Sequence, residues 1–112
     1  MERRRRKSYF LCISLNGANE VIEKRVVTIG LLDKSPVHPR EVFADVIADR
    51  AAAVIFAHNH PSGEPQPSEA DLRRHKQLTE AGKILGLRVL DHIIVTRKGY
   101  YSFQEAGLIK KE

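Results

Sequence analysis

The 112-residue sequence predicts a single α/β domain, a mixed β-sheet flanked by helices. Three observations predict it. An Asn-Gly turn joins two apolar runs near the start, helical periodicity opens at Pro39 and again at Ser68, and an apolar run rich in β-branched residues follows each helical segment. A chain of this length can bury one hydrophobic core without disulfide staples.

The elements follow in order. Ser8 to Leu15 reads as a strand, Asn16-Gly17-Ala18-Asn19 as a turn, and Val21 to Ile29 as the antiparallel partner, because Asn-Gly between apolar runs favours a hairpin. Gly30 to Pro36 reads as a loop. Pro39 suits the first position of a helix that is expected to run to about Ala52, with Val42/Val46 and Phe43/Ile47 forming its buried stripe. A strand ending at His58 follows. Ser68 opens a second helix to about Leu85, with Leu72, Leu78, Ala81 and Leu85 expected to face inward and Gly86 to stop it. Arg88 to Thr96 reads as a strand, Lys98-Gly99 as a turn, and Tyr100 to Phe103 as a closing strand. Residues 1–7 form a basic tail ahead of the domain, which occupies 8–112.

The stretch between the third strand and the second helix carries the chemistry. His58 and His60 are two residues apart at a strand end, where side chains at i and i+2 share a face, so both imidazoles can reach one ion. Asp71 lies eleven residues after His60, across a turn containing Pro61, Gly63, Pro65 and Pro67, in the first turn of the second helix. Two nitrogens and one oxygen leave a fourth tetrahedral position open, the mark of catalytic rather than structural zinc. Ser68-x-x-Asp71 also reads as a helix capping box, and that role is compatible with ligation.

Other metal signatures fit worse. His58, His60 and Glu64 match a cupin-like H-x-H-x3-E, but helical segments flank the site where a β-barrel needs strands. A nucleobase deaminase needs P-C-x-x-C, and Cys12 is the single cysteine. No H-E-x-x-H occurs. Of the remaining histidines, His92 alternates in a buried strand and reads as a core residue or as a partner to the ligands. His75 falls four residues after Asp71 on the same helix face, within reach of the ligands, although its neighbours Arg73, Arg74 and Lys76 point to solvent, and His38 belongs to a turn.

The H-x-H-P-x6-S-x-x-D pattern is similar to the JAMM (MPN+, JAB) metalloprotease motif, and its context resembles the RadC family of bacterial JAB-domain proteins. The residues that carry the likeness are Val37 to Phe43, His58-Asn59-His60-Pro61-Ser62-Gly63, Pro67-Ser68 with Asp71, Leu90 to Val95, Ser102-Phe103, and Glu105-Ala106-Gly107. The resemblance implies a cytidine-deaminase-like JAB/MPN fold and a Zn2+ cofactor held by His58, His60 and Asp71. It also implies a peptide or isopeptide substrate on a protein partner, with Ser68 stabilising the oxyanion. Zinc held there would bring the pKa of its water to about 7, supplying a nucleophile near neutral pH.

JAMM proteases take the water proton with a glutamate on an early strand. That strand here is Lys7 to Leu15, it contains no carboxylate, and Ser8 stands about where one is expected. Glu41 is the substitute that family context offers, although its position also suits the helix dipole; Glu20 and Glu23 are expected to face solvent. A non-catalytic or weakly catalytic RadC-type interaction module, tied to DNA metabolism, is the competing reading.

Composition narrows the rest. The net charge is +5, but Arg3, Arg4, Arg5, Arg6 and Lys7 against Glu2 leave only one net positive charge for the remainder, so nucleic acid is a weakly supported partner and the arginines read as a linker stump. RadC-like proteins commonly carry a helix-hairpin-helix region ahead of the JAB domain, and it is expected to be absent here. A lone cysteine in an apolar strand, with no signal peptide or membrane span, leads to the expectation of a cytoplasmic protein that does not engage membranes.

Overall fold

A computed structural model describes residues 8–30 and 37–109; the basic tail and the loop expected before Pro36 lie outside the described residues. Five strands form one sheet in the order β2-β1-β3-β4-β5, comprising β1 (Ser8–Leu15), β2 (Val21–Gly30), β3 (Ala53–Asn59), β4 (Arg88–Thr96) and β5 (Gly99–Ser102). Helices α1 (Pro39–Ala48) and α2 (Glu69–Leu85) flank it. Only the β3–β4 pair is parallel, because α2 carries the chain back between them, and the other pairs are antiparallel. The sheet is therefore mixed, as expected.

The hairpin forms because Asn16 supplies the turn's hydrogen bonds itself. Its Oδ1 accepts from the main-chain N–H groups of Ala18 and Glu20, each at 2.9 Å, while Asn19 takes a left-handed φ of 63°. Along β1 the buried Ser8, Phe10, Cys12 and Ser14 share a face, placing two apolar residues between two hydroxyls. Burial pushes the Cys12 thiol up to about 12, so it stays protonated.

Both helices pack on that same face. Phe43 of α1 meets Phe56 edge-on at 6.2 Å, and Leu78 of α2 joins Phe10, Val54 and Phe56 in one core. A Cβ on Gly82 would come within 3.0 Å of the Leu87 carbonyl and 3.4 Å of the Phe43 ring, so glycine lets α2 approach its neighbours.

The helix faces depart from expectation. On α1 the stripe is Val42, Phe43 and Val46, whereas Ile47 is 53% exposed. The helix also ends at Ala48 rather than Ala52: Arg50 turns left-handed at φ 59°, and the Ala52 N–H already donates to the Leu15 carbonyl at 2.8 Å. On α2 the buried positions are Asp71, His75, Leu78 and Gly82, with Leu72 37% exposed and Leu85 also exposed. Polar residues needed at one end of the helix turn its inward stripe away from the one apolar residues alone would select. Among the described residues no helix is long and apolar enough to cross a membrane.

Candidate metal centre

The ligands gather where β3 ends and α2 begins. Pairing with β4 continues one residue past the strand, through a His60 N–H that donates to the Val95 carbonyl at 3.1 Å, so His58 and His60 keep strand-like spacing. The chain then reverses, with the Gly63 N–H on the His60 carbonyl at 3.0 Å and Gly63 at a left-handed φ of 98°. It enters α2 through Ser68, whose hydroxyl oxygen accepts from the Asp71 N–H at 3.1 Å while Asp71 Oδ2 accepts from the Ser68 N–H at 2.9 Å. This is the capping box read from sequence, and it aims the carboxylate back at the strand.

His58, His60 and Asp71 converge as expected and could hold a metal ion. His58 Nε2 lies 3.3 Å from His60 Nε2 and 3.3 Å from Asp71 Oδ1, and His60 Nε2 lies 2.8 Å from Asp71 Oδ2. Ligand atoms on a tetrahedral ion with bonds of about 2.0 Å stand about 3.3 Å apart, so the donor set fits one. The tautomer of His60 fits as well. Its Nδ1 is 2.7 Å from the Glu64 main-chain carbonyl, which can only accept, so Nδ1 carries a proton, and Nε2, 2.8 Å from Asp71 Oδ2, is the nitrogen left to face an ion.

The electrostatics favour a neutral His58 beside an ionised Asp71. Burial lowers the His58 pKa against the opposing pull of Asp71. Burial of Asp71 works to raise its carboxyl pKa, but hydrogen bonding with His58 and the Ser68 N–H, with the charge of the neighbouring imidazoles, outweighs it and holds the group below its ordinary value. Arg74 Nη1 donates to Asp71 Oδ1 at 3.0 Å from the outer side.

Two further histidines belong to this neighbourhood. His92 approaches His58, with 2.9 Å between His92 Nε2 and His58 Nδ1, which favours the partner reading over that of a simple core residue. His75, expected toward solvent, is 7% exposed and packs on Phe103 at 4.5 Å and on His92 at 5.5 Å. Burial lowers the pKa of both. The Nδ1 atoms of His75 and His92 are buried without a hydrogen-bond partner among the described residues. The spacing of Asp71 and His75, one helical turn apart, was the available signal for His75; nothing local marks His92.

Ser68 caps α2 and is exposed, beside Asp71. Glu41 is exposed on the first turn of α1, outside the converging group. Ser8 is buried on the same face as Phe10, one alternation beyond the Phe10–His58 pair, at the ligand end of the sheet.

Comparison with known proteins shows the family. A family model described as "RadC-like JAB domain" matches residues 1–108. A UPF0758 protein of Methanospirillum hungatei is 55% identical over 103 residues, covering 92% of this chain and 46% of that one. UPF0758 proteins of Trichlorobacter lovleyi and Pelobacter propionicus are 53% and 49% identical over 104 residues, covering 93% of this chain and 45% of theirs. The chain thus spans about half the length of the curated relatives it matches. With the match running through nearly every element that positions the ligands, the chain belongs to the RadC-like JAB domain family.

Proposed function

We propose that the domain is a zinc-dependent hydrolase of the JAMM type acting on a peptide or isopeptide bond. The observation that carries this reading is the convergence of two imidazole nitrogens and one buried carboxylate at a strand end, with an exposed hydroxyl beside them. When bound, zinc supplies a Lewis acid that brings the pKa of water to about 7. His58 and His60 contribute neutral lone pairs, and Asp71 contributes the negative charge. Ser68 uses an oxygen lone pair to accept the Asp71 N–H, which leaves its own O–H free to donate to a developing oxyanion.

The proton acceptor is the weak part. Ser8 stands at the strand end where a carboxylate would serve, and a serine hydroxyl is no base at neutral pH without activation. Glu41, the substitute that family context offers, stands outside the converging group. This observation favours a second reading, a RadC-type interaction module of low activity connected with DNA metabolism.

One experiment separates the two. The chain is expected to bind zinc but cleave peptide substrates slowly, and Ser8→Glu is expected to raise zinc-dependent turnover by about 10²–10⁴-fold, the range a positioned base contributes. Glu41→Gln should leave turnover unchanged. If Glu41→Gln abolishes a readily measured activity while Ser8→Glu adds nothing, Glu41 is the base and the enzyme is complete as written.

A further inference from the structure

We infer that His92 is a positioning residue that fixes the tautomer of His58, so that His58 Nε2 offers its lone pair to the metal. The inference rests on the metal reading above. Two neutral imidazoles whose nitrogens lie 2.9 Å apart share one proton between them, and there are two ways to place it. If His92 Nε2–H donates to His58 Nδ1, the one ring proton of neutral His58 sits on Nε2, where Asp71 Oδ1 at 3.3 Å can accept it, and blocks coordination. If His58 Nδ1–H donates to His92 Nε2, then His58 Nε2 is free. Only the second arrangement gives His58 the tautomer that the Glu64 carbonyl already imposes on His60.

The surroundings of His92 show that its ring is not there for packing. It is fully buried, stacked on Phe103 at 4.7 Å and met edge-on by Phe10 at 5.7 Å and by Phe56 at 6.0 Å. A phenylalanine suits such a box. The imidazole instead leaves its Nδ1 without a partner, and among the described residues the ring makes a single hydrogen bond, to His58. An orphaned polar atom in an apolar box is unfavourable, and the contact with His58 is what it secures.

The box is also held in register. The Phe103 N–H donates to the His92 carbonyl at 3.0 Å. Asp91 accepts from Ser102 Oγ at 2.6 Å and from the Gln104 N–H at 3.0 Å, which pins the segment carrying Phe103 against β4. The ring of His92 therefore has little freedom to turn away from His58.

The test uses the whole chain and three proteins: the parent, His92→Phe and His92→Gln. Histidine 15N chemical shifts of the zinc-loaded parent at pH 7.5 should show His58 with its proton on Nδ1 and its Nε2 on the metal. In His92→Phe zinc affinity measured by competition with a chelating dye should fall about 10–100-fold, and the thermal midpoint of the metal-free protein should not fall. Glutamine can place a carbonyl oxygen near the position of Nε2, so His92→Gln should recover most of the affinity. A His58 that binds through Nδ1, or a His92→Phe protein that binds zinc as tightly as the parent, overturns the inference alone. A parent that binds no zinc overturns the metal reading and the inference together.

Discussion

At one end of the helix-covered sheet face, Asp49 receives Ser14 Oγ at 2.8 Å and both terminal nitrogens of Arg25, one of them at 2.7 Å. At the other end, beyond Phe10 and Cys12 on the same strand face, Asp71 meets the Ser68 N–H and Arg74 on its outer side and two imidazole nitrogens on its inner side. Both carboxylates sit at the edge of one core, and both are held below their ordinary pKa, Asp49 chiefly by its hydrogen bond with Arg25. The difference lies in what completes them. Asp49 is neutralised bidentately by a cation of the chain itself, which makes a closed structural clamp. Asp71 has a cation of the chain, Arg74, on Oδ1 alone and faces two imidazole nitrogens with which it could hold an external ion. Two polar clusters of similar composition thus differ in whether the chain's own cation closes both carboxylate oxygens.

Removing the inner donors should break this contrast most visibly. The parent should take up close to stoichiometric zinc and, with free zinc a hundredfold above its Kd, gain about 2.7 kcal/mol of stability. His58→Ala combined with His60→Ala should abolish both effects. Unchanged zinc content by elemental analysis in that variant would place the centre elsewhere.

Opening the other clamp should leave metal uptake intact and lower stability modestly, since the Arg25 guanidinium is solvent-screened. Because the folded carboxyl of Asp49 titrates below its unfolded value of about 3.9, its contribution is present above that pH and is lost as pH falls through the lower folded value. Urea unfolding of Asp49→Asn beside the parent should therefore differ at pH 7 and converge in strong acid; a constant difference across that range would show that packing, not charge, holds this corner.

The smallest effect belongs to Leu72, beside Asp71 on α2 but outside the buried stripe. Leu72→Ala should change stability by no more than about 0.5 kcal/mol, which a denaturant midpoint can resolve. A loss of several kcal/mol would mean that the helix face is the one apolar periodicity predicts.

The ligands were legible because the signals for them are local. Strand alternation pairs His58 with His60, and a capping box announces Asp71 within four residues. Their partners were legible only in part: the sequence left His92 open between core residue and partner, because the choice depends on how distant segments align. His92 reaches His58 only through the parallel register that sets it opposite Phe56 in β3. The inward face of α2 was misjudged for a related reason: hydrophobicity marks Leu72 and Leu85, while the site buries Asp71 and His75. The early end of α1 reflects Asp49 being drawn into its clamp and Arg50 turning left-handed after it, and neither is spelled in the helix's own periodicity.

The capping box has a consequence for how the site is switched on. Asp71 closes the first turn of α2 with the same carboxylate that faces the imidazoles. Helix initiation and ion capture are thereby reciprocal: whatever secures that turn strengthens capture by the free energy that capture lends to the turn. Amide hydrogens in the first turn of α2 would then exchange with solvent at a rate set by ion occupancy, so that the start of a helix reports on chemistry at the end of a strand.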